Sequence, residues 1–459
     1  MIRGLTGVAL ALLGLLPLGS GVLLLTRTSF RFGLAVFAGM AAAMVLLPPL
    51  VYVGLAPSFP LVLGLGLAAL VAGLVLRRPS RPGLRFDLLP SLVLAAPLVL
   101  LAARAAQQPV DRYDAFANWL LKAKLLYFDR SFADASIAPP VHREYPLGLP
   151  ALEAYVFHGI GSADARVVHV LFAVFLGGLA LVTWHVLRPH VGAWPLTAGL
   201  SLLLWMPAPR DQALSAYADV PLACLFVSAV LLIGSERLAL GSVFAAAALA
   251  TKRDAVAFCA VLYALGFVVL LVRREREHMP ALLVSVVCVA LSALPWRVFD
   301  AVHDLHDGDV APSLSHVGDL PFVFRRFGHL IVEQAYLWTI PLAAAAAVMM
   351  LVRRRDRQLA LGVLALIAGL FAALALVYLS GTTGVRYLVR STAERTLITP
   401  TLLAAALLPL LVTRALGAAQ RTVREPARTR GRTPPRARRQ RLGARRRPQA
   451  GGRPRRPSS

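Results

Sequence analysis

Long apolar stretches alternate with short polar breaks along most of this chain. Thirteen apolar runs stand out: 5–25, 33–53, 60–76, 87–104, 164–187, 192–207, 216–233, 238–250, 254–272, 280–296, 333–352, 358–379 and 396–414. Most are near the ~20 residues needed to cross a hydrocarbon core as a helix. The run at 238–250 is the shortest, and reads as a short or broken helix. The pattern predicts an all-α polytopic membrane protein with about 13 transmembrane helices. The first run, with Arg3 ahead of it and Gly19–Ser20 near its end, also mimics a signal peptide. Arg27 just beyond it favours a retained span.

The breaks between runs are unequal in charge. Arg27, Arg31, Arg77, Arg78, Arg81, Arg85, Arg188, Arg237, Arg273, Arg274, Arg276 and Arg353–Arg357 fill one alternate set of short loops. Cations in short loops mark the cytoplasmic side. Thirteen spans put all of them there, with the N-terminus outside. Removing the 238–250 run would scatter them over both sides. The larger loops, 105–163, 297–332 and 380–395, then lie outside. The expected organisation is N-terminal spans over 1–104, an outer catalytic loop at 105–163, spans over 164–296, a second outer loop at 297–332, and spans over 333–414.

Composition sharpens this picture. Of 459 residues, 58% are hydrophobic and 15% charged, against about 25% charged in soluble proteins; mean hydropathy is +0.68. A soluble enzyme and a disordered chain are both excluded. The net charge of +25 is concentrated at the C-terminus, where 421–459 holds 15 Arg against one acid, Glu425. Segment 415–459 has too few apolar residues for a core. It reads as a disordered cytoplasmic tail facing anionic lipid headgroups, with no nucleic-acid partner expected. Cys224, Cys259 and Cys288 lie scattered in apolar runs and form neither a disulfide framework nor a zinc site.

Candidate chemistry collects in the outer loops. Asp111, Asp114, Asn118 and Lys122 share one helical stripe. Phe116, Leu120, Ala123 and Tyr127 form another, with Trp119 beside it. This spacing predicts an interfacial amphipathic helix that presents its polar face outward. His142, Glu144 and Tyr145 come next, in a stretch stiffened by Pro146 and Pro150. Tyr217 and Asp219 open the 216–233 run, and Lys252, Arg253 and Asp254 separate two others. Arg386, Arg390 and Arg395 lie in the last outer loop. Outer cations beside acids suit a phosphate-bearing headgroup. A sugar on a lipid phosphate needs cations for its leaving group and one general base for the acceptor hydroxyl. No Walker loop, dinucleotide fingerprint or HExxH pair is present.

The acids opening the first outer loop, NWLLKAKLLY (118–127), HREYPLGLP (142–150), YADVPLA (217–223) and TKRDA (251–255), taken in that order, resemble the GT-C glycosyltransferases. The nearest kin are the protein-mannosyltransferase-like and aminoarabinose-transferase-like enzymes. The resemblance covers roughly 86–395. It implies a GT-C-like fold with interfacial helices on the first outer loop, and inverting transfer from a polyprenyl-phosphate sugar to a glycan, lipid or protein acceptor. It implies a catalytic base at Asp111 or Asp114, with Asp111, nearest the membrane, the favoured one. Donor-phosphate cations would be Lys252 or Arg253, with Arg386, Arg390 or Arg395. No cofactor is required; a divalent cation is compatible. Three spans precede the loop-bearing one, and the last span leads straight into the tail, unlike the family pattern. The rival expectations are a lipid-linked glycan flippase and a glycan polymerase or ligase.

Overall fold

In the computed structural model the described residues are 2–28, 32–77, 88–129, 143–305, 314–380 and 384–417. All their regular elements are helical. In chain order these are α1 (Ile2–Gly14), α2 (Leu16–Leu25), α3 (Phe32–Tyr52), α4 (Phe59–Leu76), α5 (Leu88–Ala105) and α6 (Leu120–Phe128). They continue with α7 (Gly148–Ile160), α8 (Ala165–Val168), α9 (Val170–Leu187), α10 (Ala193–Trp205), α11 (Pro207–Leu214), α12 (Asp219–Gly234) and α13 (Leu238–Leu249). The remainder are α14 (Ala255–Arg273), α15 (Met279–Ser292), α16 (Leu294–Val302), α17 (Leu320–Glu333), α18 (Thr339–Val352), α19 (Arg357–Leu379), α20 (Val385–Thr396) and α21 (Ile398–Leu416). The Arg-rich tail beyond 417, with Glu425, lies outside the described residues.

Among the described residues ten continuous helical stretches are long and apolar enough to cross a membrane, so the chain is a multi-pass membrane protein. They coincide with ten of the thirteen apolar runs. The other three runs fall on α10, α12 and α13, of 13, 16 and 12 residues. At 1.5 Å per residue these reach only about 18–24 Å, short of a ~30 Å hydrocarbon core. Large apolar side chains such as Val75, Leu76, Val99, Val268 and Val284 are exposed. In water such a surface would aggregate; lipid is the solvent that accepts it.

Small residues let the helices approach closely. The α1–α2 stretch breaks at Leu15, where Pro17 opens α2, and α2 packs along α3 and α4. A side chain at Gly19 would run into the Ala35 carbonyl of α3. Helix α12 is the centre of the bundle, packed on α9, α13 and α21 and buried along nearly its whole length.

The bundle has two chemically different ends. At one, Arg273 Nε donates to Gln358 Oε1 at 2.9 Å, Arg353 Nη1 to the Ala415 carbonyl at 2.9 Å, and Arg414 lies 3.2 Å from Asp356. Helices α14 and α21, 19 residues each, lead from that end to the other, about 28 Å away. The acids and cations of four separate motifs meet there.

Candidate functional site

Local sequence explains how each of these motifs presents its polar groups. Asp219 stands at the N-terminus of α12, where free N–H groups and the helix dipole favour a carboxylate. Thr251 and Lys252 fall in the turn after α13, and Thr251 Oγ1 donates back to the Ala247 carbonyl at 2.8 Å. Asp254 occupies the N-cap of α14, yet its side chain caps no backbone N–H. It reaches Lys252 Nζ at 3.1 Å instead. Arg395 sits in the last turn of α20.

These groups form an alternating chain: Asp254, Lys252, Asp219, Arg395, Asp114. Lys252 Nζ donates to Asp219 Oδ1 at 2.8 Å. Arg395 Nε lies 3.1 Å from Asp219 Oδ2 but is not aligned to donate a hydrogen bond to it. Arg395 Nη1 donates to Asp114 Oδ2 at 2.8 Å. The Tyr217 ring lies under the Arg395 guanidinium, 4.5 Å from its carbon, and Gln212 Nε2 donates to the Arg395 carbonyl at 3.5 Å. Arg253 stands 3.7 Å from Glu144. Burial works against a charged Lys252, but Asp219 and Asp254 outweigh it and hold the ammonium well above the usual lysine value.

A second, aromatic layer backs this chain. Tyr145 stacks on Trp119 with ring centres 5.5 Å apart. Lys122, fully buried, places its ammonium over both rings and donates to the Tyr145 carbonyl at 3.4 Å. Burial pushes the Tyr145 phenol above its ordinary value, with Asp254, Glu144 and Asp114 adding to the shift and Lys252 opposing it. Four carboxylates (Asp114, Glu144, Asp219, Asp254) thus balance four cations (Lys122, Lys252, Arg253, Arg395). The pair Lys252–Asp219 is 7% and 5% exposed, whereas Arg395 and Asp114 are 21% and 24% exposed. Arg253 is exposed to a similar degree, and Asp114 is the most exposed of the four carboxylates.

The structure rearranges several sequence expectations. The 111–127 stretch is not one amphipathic helix with an outward polar face. Residues Ala115–Trp119 form a π-helical turn ahead of α6, whose wider winding rotates the residues after it. Asn118 and Lys122 turn into the core, and Phe116 is exposed. Both polar atoms of the Asn118 amide are buried, without hydrogen-bond partners among the described residues. Asp111 precedes the helical segment; its carboxylate is exposed, 3.8 Å from Arg112, and takes no part in the ion-pair chain. Arg386 and Arg390 lie apart from Arg395, both against Phe322. His142 lies outside the described residues.

Gln212 and Tyr378 escaped the sequence reading: Gln212 follows Arg210 and Asp211 in a stretch with no recognisable motif, and Tyr378 stands alone at the end of an apolar run. Tyr378 bonds Thr392 and Thr396, on the helix that carries Arg395, at 2.9 and 2.7 Å. Among the described residues no group of three or more His, Cys, Asp or Glu is gathered to hold a metal ion. No family model matches the chain, and it has no match among curated proteins or solved structures.

Proposed function

We propose that the protein is an inverting, GT-C-like integral membrane glycosyltransferase. In this reading it moves a sugar from a polyprenyl-phosphate donor to an acceptor at the extracytoplasmic face, with the Arg-rich tail in the cytoplasm. The observation that carries it is the ion-pair chain: four motifs far apart in sequence meet at one end of an apolar bundle, opposite the end where the short-loop arginines gather.

The charge balance suggests a mechanism. Lys252, Arg253 and Arg395 each already face a carboxylate, so a phosphate that takes over one of these cations displaces an acid. Asp114 is the most exposed of those carboxylates. The donor phosphate takes over Arg395, whose Nε has an unspent N–H, and Lys252 lies behind it. Asp114, released, accepts the proton of the acceptor hydroxyl. The acceptor oxygen bonds the anomeric carbon from the side opposite the phosphate. The bond from that carbon to the phosphate oxygen breaks, its electron pair leaving with the polyprenyl phosphate. The short helices α12 and α13 favour this placement, because a helix shorter than the hydrocarbon core ends below the membrane surface, near a lipid phosphate.

Two measurements test the reading. The purified full-length protein is incubated with radiolabelled polyprenyl-phosphate hexoses and pentoses and a cell-envelope acceptor extract. Release of polyprenyl phosphate is expected with one of them, and none with any would sink the assignment. Single cysteines replacing Gly384 and Arg357 are probed in intact cells with an impermeant thiol reagent. Labelling at 384 and not at 357 is expected; the reverse would invert the orientation.

A further inference from the structure

Arg386 and Arg390 share one face of α20, a turn apart. Nine and five residues ahead of Arg395, they are rotated roughly 140–180° from it about the helix axis. One phosphate cannot engage both faces. Each guanidinium lies 5.6 Å from the centre of the same ring, Phe322 on α17. Like charges at i, i+4 repel, so two guanidiniums on one ring call for two counter-charges. Asp319 supplies one, 2.9 Å from Arg386 Nε. Arg390 and the exposed Arg325 of α17 have no carboxylate partner among the described residues.

The surroundings narrow the chemistry of the missing anion. Phe324, Val332 and Tyr387 are exposed on the same two helices. Helix α17 buries Val323, Phe327 and Leu330 on its other side. Cations interleaved with exposed aromatic and aliphatic side chains mark a surface lying at the headgroup level of a bilayer. A soluble phosphate has no use for the apolar part of this surface, but a lipid does.

We propose that the shelf formed by α17 and α20 holds the phosphate of an anionic glycerophospholipid from the outer leaflet. The phosphate sits between Arg386 and Arg390 beside Phe322, and the acyl chains run along Tyr387. The proposal rests on the outward orientation of this end of the bundle, but not on any catalytic step. Because α20 also carries Arg395, the bound lipid would steady the helix that brings this cation to the network.

The test uses the full-length protein in phosphatidylcholine nanodiscs with increasing mole fractions of phosphatidylglycerol. Hydrogen exchange is followed in peptides covering 320–333 and 385–396. Exchange in both segments is expected to slow as phosphatidylglycerol is added. In Arg386→Gln/Arg390→Gln, the half-saturating mole fraction is expected to rise about tenfold or more, the change brought by losing a charge-assisted contact. Arg386→Lys/Arg390→Lys keeps the charge and is expected to retain most of the effect. Both side chains are exposed, and detergent-stable monodispersity verifies the fold of each variant. Equal exchange in the two lipids overturns the proposal, as does an unchanged midpoint in the glutamine variant. Protection induced by polyprenyl phosphate, and not by phosphatidylglycerol, overturns it too and returns these arginines to the donor. None of these readouts depends on glycosyl transfer, so an inactive preparation leaves the result intact.

Discussion

Asp219 and Lys252 stand 33 residues apart in sequence and 2.8 Å apart in the fold, both nearly inaccessible. Removing Asp219 leaves Lys252 with Asp254 alone and takes a carboxylate from Arg395; breaking a buried pair costs up to about 3–5 kcal/mol. Asp219→Asn is expected to lower the thermal unfolding midpoint in detergent and to abolish turnover. Adding Lys252→Met to it is expected to recover part of the midpoint, because a buried cation that has lost one of its two carboxylates is gone. Strictly additive losses in the double variant would show that the two side chains do not act as a pair.

Asp114 is tied to Arg395 while Asp111 faces solvent beside Arg112. In the mechanism proposed above the base is therefore Asp114, where the sequence reading preferred Asp111. Asp114→Asn is expected to reduce turnover by about 10²–10⁴, the usual loss for a general base. Asp111→Asn is expected to stay within about tenfold of the parent, since an exposed pair contributes little. Polyprenyl phosphate release at matched protein level decides it, and a larger loss at Asp111 reverses the assignment.

Gly148 joins two of the site's segments. Its N–H donates to the Ala250 carbonyl at 2.8 Å, tying the Glu144–Tyr145 loop to the turn bearing Lys252. A side chain at 148 would run into that carbonyl. Gly148→Ala is expected to cost about 1–3 kcal/mol, as overpacking does, and to lower turnover by shifting Lys252. A variant with parental midpoint and parental turnover would show that the contact is not tight.

Glu153, in the middle of α7, is fully buried, and neither carboxylate oxygen has a hydrogen-bond partner among the described residues. Burial pushes its carboxyl up to about 8. The folded chain therefore keeps a proton that the unfolded chain releases near ~4.3. Stability falls as pH rises from that value to the folded one, and levels off at higher pH. Glu153→Gln preserves the shape and removes the titration. Its unfolding midpoint is expected to exceed the parent's near pH ~9 and to converge on it near pH ~4. A midpoint difference that does not vary with pH would rule out a raised carboxyl at this position.

The apolar runs by themselves determined the class of the molecule. Hydropathy is a local property, so each of the thirteen runs coincides with an apolar helix, and the ten longest crossings were readable without any knowledge of packing. Motifs were readable too, since Asp219, Lys252 and Arg253 interrupt runs where charge is costly. What the sequence could not supply was which charges meet. Asp114 and Arg395 are 281 residues apart, and only the tertiary packing of the helices brings them within hydrogen-bond distance. The π turn at 115–119 changed the facing of Asn118 and Lys122 because one wider turn rotates every later residue of the helix, and stripe counting assumes the ordinary 3.6-residue period. Arg386 and Arg390 looked equivalent to Arg395 in the sequence. The rotation of α20 about its axis, set by its contact with α17, separated them.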